Sequence, residues 1–356
     1  MSLTPIRQQI DALDGQIIEL LNRRAALACE VGEIKRRAGA PVYAPEREED
    51  VFNKLEARNA ALGGRLSNAA VRGIYREIMS ASYALERGLN IAFLGPAGTY
   101  SHEAARGQFG SSVDYLPLGS IAEVFAAVAK GKADLGVVPI ENSTEGSVTF
   151  TLDEFVGSEL KICAEILLRV RHNLLAKSPR EAIRKIYSHP QSLAQCRQWL
   201  GGNFPNAEQI ATSSNTRAAQ LAAEEPGAAA IAGRLAAELY GLDILEEAIE
   251  DSAFNTTRFL VISNRDVAPT GRDKTSLLFF VSDQSGTLFS ALEPFQRLGI
   301  SLSKIESRPS RRKAWEYCFY VDIVGHAQDP TVARAIAELE KQCLWVKNLG
   351  SYPAGK

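Results

Sequence analysis

Cysteine is scarce here. The five present (Cys29, Cys163, Cys196, Cys318, Cys343) are scattered, odd in number and never paired as CxxC, which excludes a disulfide framework and a zinc site. The four histidines (His102, His172, His189, His326) show no metal-ligand spacing, so neither metal nor cofactor is expected. A formal charge of −2 gives no reason to bind nucleic acid. No apolar run approaches the roughly 20 residues that span a bilayer. The opening Met1-Ser2-Leu3-Thr4-Pro5 lacks the basic start and apolar core of a signal peptide. What is present is ordinary globular composition, 46% hydrophobic and 23% charged. At 356 residues the chain suggests two or three domains. The expectation is a reduced, metal-free cytoplasmic protein with no membrane or nucleic-acid partner.

Three segments have different grammar. Residues 4–86 read as all helix, with Thr4 placed to cap and Pro5 in the first turn. Ile6, Leu13, Leu20, Leu27 and Ile34 hold one heptad slot, and Ile10, Ile17 and Val31 a second. A helix from Pro5 to Arg37 would be on the order of 50 Å long, too long for the rest of the segment to cover, which points to a partner chain. Further helices are expected from about Pro45 to Asn59 and from about Asn68 to Arg87. Residues 90–265 alternate short apolar strands (Ile91–Leu94, Leu135–Pro139, Ile186–Ser188, Phe259–Ile262) with helical stretches (Ile121–Lys130, Leu193–Leu200, Thr216–Ala223), as in an α/β sheet. Residues 275–350 read β, α, β, β, α, the order of a small ferredoxin-like domain.

Arg24 interrupts the second heptad slot, and an arginine in an apolar seam is costly unless it meets an anion. Lys35, eleven residues on, returns to within about 20° of the same face, whereas Arg7 points about 100° away and could join only from a partner chain. A solvated charge or a plain ion pair would explain Arg24 equally well. Arg7, Arg24, Lys35, Arg47-Glu48 and the Ser82…Glu86 pair resemble, in order and nearly in spacing, the active-site pattern of the all-helical chorismate mutases. The resemblance implies an intertwined helical dimer whose pocket takes Arg7 from one chain and Arg24, Lys35, Glu48, Ser82 and Glu86 from the other. Two arginines suit the two carboxylates of chorismate. The rearrangement to prephenate is intramolecular, so the site has only to hold a compact conformer and stabilise charge growing on the ether oxygen. By the resemblance, Lys35 and Glu86 donate to that oxygen and Glu48 accepts the ring hydroxyl. Many relatives carry glutamine in place of Glu86, and a glutamate donates only when protonated. Ala44 stands where relatives often have aspartate.

In the α/β segment three polar strand ends recur: Gly95–His102, Pro139–Gly146 and Thr212–Arg217. Singly each reads as a strand–helix turn or N-cap; together they suggest a cleft for a small anion. With Ser188-His189-Pro190-Gln191…Gln195 and Asn255-Thr256-Thr257-Arg258-Phe259, they resemble the prephenate dehydratase family across residues 91–263. That family has two lobes, like a periplasmic solute-binding protein, with the site between them. The resemblance assigns catalysis to Thr257, with Asn142, Ser188 and Gln195 lining the site. Thr99, Ser101, Glu141, Ser213, Asn215 and Arg258 are further substrate-binding candidates. Dehydration needs a proton donor at the leaving hydroxyl and anchors for two carboxylates. Thr257 could be that donor, could relay a proton from Glu141 or His189, or could stabilise the departing oxygen by a hydrogen bond. A turn histidine before proline is often merely hydrogen-bonded, so His189 also has a structural reading.

Ile305-Glu306-Ser307-Arg308-Pro309 and Gly286-Thr287-Leu288-Phe289 resemble the motifs of ACT domains in phenylalanine-responsive enzymes. The implied effector residues are Gly286, Leu288, Glu306, Ser307 and Arg308, between ACT domains of two chains. Glu306 and Arg308 also read as a strand-end ion pair, and Trp315 and Tyr317 as packing residues. Expected boundaries are 1–88 (mutase), 90–267 (dehydratase) and 274–352 (ACT). The resemblances imply a bifunctional enzyme that takes chorismate through prephenate to phenylpyruvate. It would be a homodimer through its helical and ACT domains, inhibited by L-phenylalanine. The rival readings are a ligand-binding regulator and a dehydratase whose helical segment only dimerises.

Overall fold

The computed structural model describes residues 3–309 and 317–355, so Trp315 lies outside the described residues. The chain divides into two compact units, residues 1–90 with 106–114, and residues 91–105 with 115–356.

The first unit is built on α1 (Thr4–Ala38), α2 (Pro45–Ala61) and α3 (Asn68–Glu86). Leu3, not Thr4, occupies the cap position of α1, because the helix starts one residue earlier than expected. Gly32 lets α1 and α3 touch: a Cβ there would stand 2.8 Å from the Glu86 Cα. The heptad stripe of α1 stays open to solvent, its apolar members from Ile6 to Ile34 being 43–65% exposed. Ala44 caps α2 without a side-chain hydrogen bond, a place where an aspartate would supply one.

The second unit continues through β1 (Asn90–Leu94), α4 (Tyr100–Phe109), β2 (Asp114–Leu118), α5 (Ile121–Ala129), β3 (Leu135–Asn142), β4 (Gly146–Ser147), α6 (Thr149–Gly157) and β5 (Lys161–Arg169). It then crosses to β6 (Asn173–Ala176), β7 (Lys185–Ser188), α7 (Pro190–Gln195), α8 (Arg197–Asn203), β8 (Glu208–Ala211), α9 (Asn215–Glu224), β9 (Ala228–Ala232), α10 (Arg234–Tyr240) and β10 (Asp243–Glu246). The chain returns in β11 (Thr256–Ser263) and ends with β12 (Asp273–Phe280), α11 (Thr287–Arg297), β13 (Leu302–Pro309), β14 (Tyr317–Val324), α12 (Pro330–Gln342) and β15 (Trp345–Pro353). One sheet runs β2-β1-β3-β11-β5 with β4 beside β3; a second runs β10-β6-β9-β7-β8; a third runs β13-β14-β12-β15. The last strand, β15, completes a β-α-β-β-α-β order that the sequence reading left one strand short.

The third sheet is buried on both faces. Leu277, Phe279, Val321 and Ile323 pack under α11 and α12 through Ala291, Phe295, Ala335 and Leu339. Leu278, Phe280, Tyr320 and Tyr352 share a core with Val138, Ile140, Ile162 and Leu260 of the first sheet. Tyr317, expected to pack, stands 43% exposed at the start of its strand. Gly350 permits the close approach, since a Cβ there would meet the Ile162 carbonyl oxygen at 2.3 Å.

Polar groups inside this sandwich are paired. Arg258 of β11 donates to Glu165 (2.7 Å), Asp322 (2.6 Å) and the Tyr352 hydroxyl (2.9 Å), with Glu141 at 3.3 Å. Lys274 joins Glu165 at 2.8 Å, and Lys304 pairs with Glu141. The Glu165 and Asp322 side chains are wholly buried. Deleting one member strands the others without water or countercharge. Arg258→Met is expected to lower the unfolding free energy by about 3–5 kcal/mol. Calorimetric melting checks this, and an unchanged transition would contradict it.

Candidate active sites

In the helical unit, α1 and α3 bring polar side chains together where Gly32 lets them meet. Arg24 donates to Ser82 Oγ at 2.5 Å. Lys35 donates to Glu86 Oε2 and to the Val42 carbonyl, both at 2.8 Å. Ser82 and Glu86 are one turn apart on α3, so they share a face. Glu48 is buried and accepts from Arg76 (2.5 Å), Tyr83 (2.9 Å) and Gln108 (3.1 Å). Arg76 went unnoticed in the sequence because nothing in its spacing on α3 marks it; the cation expected beside Glu48, Arg47, is instead exposed and bound to Asp50. Arg7 is exposed on the first turns of α1, apart from these pairs.

In the second unit, the pleat sorts the motif residues. Thr257 is the register partner of Asn142, and Arg258 of Glu141. Neighbours along a strand point to opposite faces, so the first pair faces one way and the second the other. Thr257 and Asn142 line a cleft of about 250 Å³ with Tyr100, His172, Gln195, Asn215 and Asn255. Glu141 and Arg258, expected at the substrate, are turned into the buried cluster beneath the third sheet. Burial alone would raise the Glu141 carboxyl, but Lys304 and Arg258 hold it below the usual carboxylate range. It is therefore no proton source for Thr257.

The cleft wall is a set of amides with fixed directions. Asn142 Oδ1 accepts from the backbone N–H of Thr144 (2.9 Å) and Glu145 (3.2 Å), which cannot reverse. Its Nδ2 must then donate, at 2.8 Å each, to Thr257 Oγ1 and Asn255 Oδ1. Thr257 is thus an acceptor toward Asn142, and its own proton is left for the cleft. Asn215 Oδ1 accepts from the His189 N–H (3.1 Å) and Ser192 (3.1 Å) and shares the single Ser188 proton (3.0 Å) with the Ile231 carbonyl, which directs Asn215 Nδ2 away from all three. Ser188 is fully buried and also donates to the Ile231 carbonyl, so it supports the wall rather than lining it. His189 lines the cleft and accepts from the Gln191 N–H through Nδ1.

Other expected residues sit elsewhere. Thr99 donates to the Leu94 carbonyl within the β1–α4 turn, Ser101 is buried in the same turn, and Ser213 is exposed outside the cleft lining. Among the described residues the cleft lining contains no lysine or arginine. Anchoring of an anion there falls to amide, hydroxyl and backbone N–H donors, including those that open α9. Tyr100, His172 and Asn255 were missed as lining residues; Asn255 shares a strand face with Thr257 by its i, i+2 spacing, and that signal was available.

The motif of β13 splits across its strand. Lys304, Glu306 and Arg308 face the first sheet, where Glu306 accepts from Ser147 (2.6 Å) and Arg308 reaches Asp153 (3.3 Å). Ser307 alternates to the other face, opposite Phe319 in register, and is exposed. Gly286 is exposed at the cap of α11, and Leu288 packs against the core under α11 and α12.

Three families match in order along the chain: chorismate mutase type II over residues 6–87, prephenate dehydratase over 91–267 and the ACT domain over 275–341. The bifunctional chorismate mutase/prephenate dehydratase of Aquifex aeolicus is 46% identical over 353 residues, covering 99% of this chain and 98% of that protein. That of Stutzerimonas stutzeri is 45% identical, covering 99% and 97%. The solved prephenate dehydratase of Arthrobacter aurescens, in complex with L-Phe, is 36% identical with a TM-score of 0.70, covering 75% of this chain and 90% of that one. No helix of the described residues is long and apolar enough to cross a membrane. With all three parts matched in order and nearly its whole length aligned, the chain belongs to the bifunctional chorismate mutase/prephenate dehydratase family.

Proposed function

We propose that this cytoplasmic enzyme makes phenylpyruvate from chorismate at two sites, with Thr257 as the hydroxyl that assists the dehydration and L-phenylalanine as inhibitor. The observation that carries the dehydratase half is the Asn142 amide. Pinned by two backbone N–H groups, it takes the acceptor side of Thr257 and leaves the Thr257 proton aimed at the cleft. When prephenate loses its ring hydroxyl, that oxygen leaves with a proton, the ring carboxylate departs as CO₂, and the released electron pair completes the aromatic ring. A threonine hydroxyl is a feeble acid, so its contribution is a hydrogen bond that strengthens as charge grows on the departing oxygen. Asn215 Nδ2 and Gln195 Nε2 supply donors for the carboxylates.

The mutase half is supported by the Lys35–Glu86 and Arg24–Ser82 pairs. In this reading Lys35 donates to the ether oxygen, residue 86 lies beside it, and Arg24 holds a carboxylate. Arg7 would arrive from a second copy laid along the open stripe of α1, which makes the enzyme a homodimer. Inhibition has a route in the fold, since Lys304 and Glu306 of the ACT strand bind Glu141 and Ser147, on either side of the cleft residues Asn142 and Glu145.

Supplying chorismate and then prephenate, with and without L-phenylalanine, tests both halves, and phenylpyruvate formation should fall with phenylalanine. In Thr257→Ala the dehydratase kcat should drop by about 10²–10³-fold while the mutase rate is unchanged. Glu86→Gln, whose amide is a donor in its ordinary form, should keep or raise mutase kcat/KM, whereas Glu86→Leu should lower it. Arg7→Ala and Arg24→Ala, each inactive alone, should recover part of the mutase activity on mixing and re-association. No recovery would argue against a site shared between copies.

A further inference from the structure

The amide chain behind Thr257 does not end at Asn142. Asn255 takes one Asn142 proton on Oδ1, so its Nδ2 donates onward to Gln195 Oε1 at 3.0 Å. The other atom 2.7 Å from Gln195 Oε1 is His172 Nε2. Two acceptors cannot face each other, so His172 must carry its proton on Nε2. His172 Nδ1 is then left as an acceptor 2.8 Å from the Tyr100 hydroxyl, whose single proton it shares with the Arg171 carbonyl, 2.9 Å from the same oxygen. The direction of every bond follows from the backbone at Thr144 and Glu145, and the tautomer of a histidine four links away is its last consequence. His172 is 1% exposed, and burial lowers its proton affinity against the pull of Gln195 and Glu250. The imidazole is thereby kept neutral.

We propose that His172, as the neutral Nε2–H tautomer backed by Tyr100, is a positioning residue of the dehydratase. It fixes the Gln195 amide with its Nε2 toward Thr144 and the cleft, and holds Asn255 against Asn142. The chain from Thr257 is thus tied at both ends, by backbone N–H groups at one and by a buried ring at the other. Without the ring, Gln195 Oε1 loses a donor and the amide is free to rotate, so Asn255 and the second Asn142 proton lose their fixed partners. The assignment rests on the dehydratase reading with Thr257 as donor.

Glutamine at position 172 can place a donor near Nε2 and an acceptor toward Tyr100; leucine can do neither. His172→Leu should lower dehydratase kcat/KM by about 10–100-fold with mutase kcat/KM unchanged in the same preparation. His172→Gln should stay within a few-fold of wild type. In ¹⁵N-histidine spectra the buried His102 and His326 also accept a backbone N–H on Nδ1, so the His172 ring is assigned as the resonance that disappears in His172→Gln, and in the wild-type chain that ring should be protonated at Nε2 and bare at Nδ1. A proton on Nδ1, or a His172→Gln enzyme as impaired as His172→Leu, overturns the proposal. An active His172→Leu beside an inactive Thr257→Ala overturns it alone, whereas an active Thr257→Ala overturns both this role and the donor it serves.

Discussion

Arg258 sits where the first and third sheets press together, and its guanidinium is what allows three carboxylates to lie there. Glu165 and Asp322 are removed from water altogether, and Glu141 about two-thirds so, with Lys274 and Lys304 completing a balance of three cations to three anions. Such a cluster adds little net stability over an apolar filling, but it tolerates no missing member and admits one register only. Its planar fork reaches Glu165, Asp322 and Tyr352 from three different strands at once. The third sheet is therefore docked in a single way on the strand that carries Thr257.

That docking organises the chemistry one residue away. Because β11 is pleated, anchoring Arg258 below leaves Thr257 above, opposite Asn142, and the same alternation on β3 sends Glu141 down to Lys304. The cleft face is thereby kept free of lysine and arginine among the described residues and furnished with amides and hydroxyls beside Glu145. Under the proposed function, a cleft without a buried cation has nothing to hold the less charged product back. The ACT-domain contacts and the cleft occupy the two sides of the same pair of strands, separated by the thickness of one sheet.

Much of this was legible in the sequence, in proportion to how local the signal is. The heptads of α1 show a helix because each member repeats within two turns, and Arg24 stood out only against that regularity. Thr257 and Asn142 were visible inside long motifs, yet those motifs could not say which neighbour faces which side. Glu141 and Arg258 were placed at the substrate for that reason; the side is set by where β3 and β11 pair. β9, written Ala-Ala-Ala-Ile-Ala, carries helix-forming residues and is a strand only because small side chains fit beneath α9 and α10. β15 escaped notice because Lys347, Asn348 and Gly350 break its alternation, Lys347 for a contact with α6 and the other two for contacts with β5. The wire from Thr257 to Tyr100 joins residues from five separated stretches of chain, and no spacing rule connects them.

The bare backbone of Gly350 against Ile162 has a mechanical meaning. With a main chain lying directly on a main chain and salt-linked groups interlocked on either side, the sensing sheet cannot swing away from its neighbour like a door. Hinged opening would expose wholly buried carboxylates and a lateral slip would break their single register, so the two layers are held to move together. Any displacement of β13 is therefore carried directly into the short hairpin at Gly146 and Ser147 that it grips.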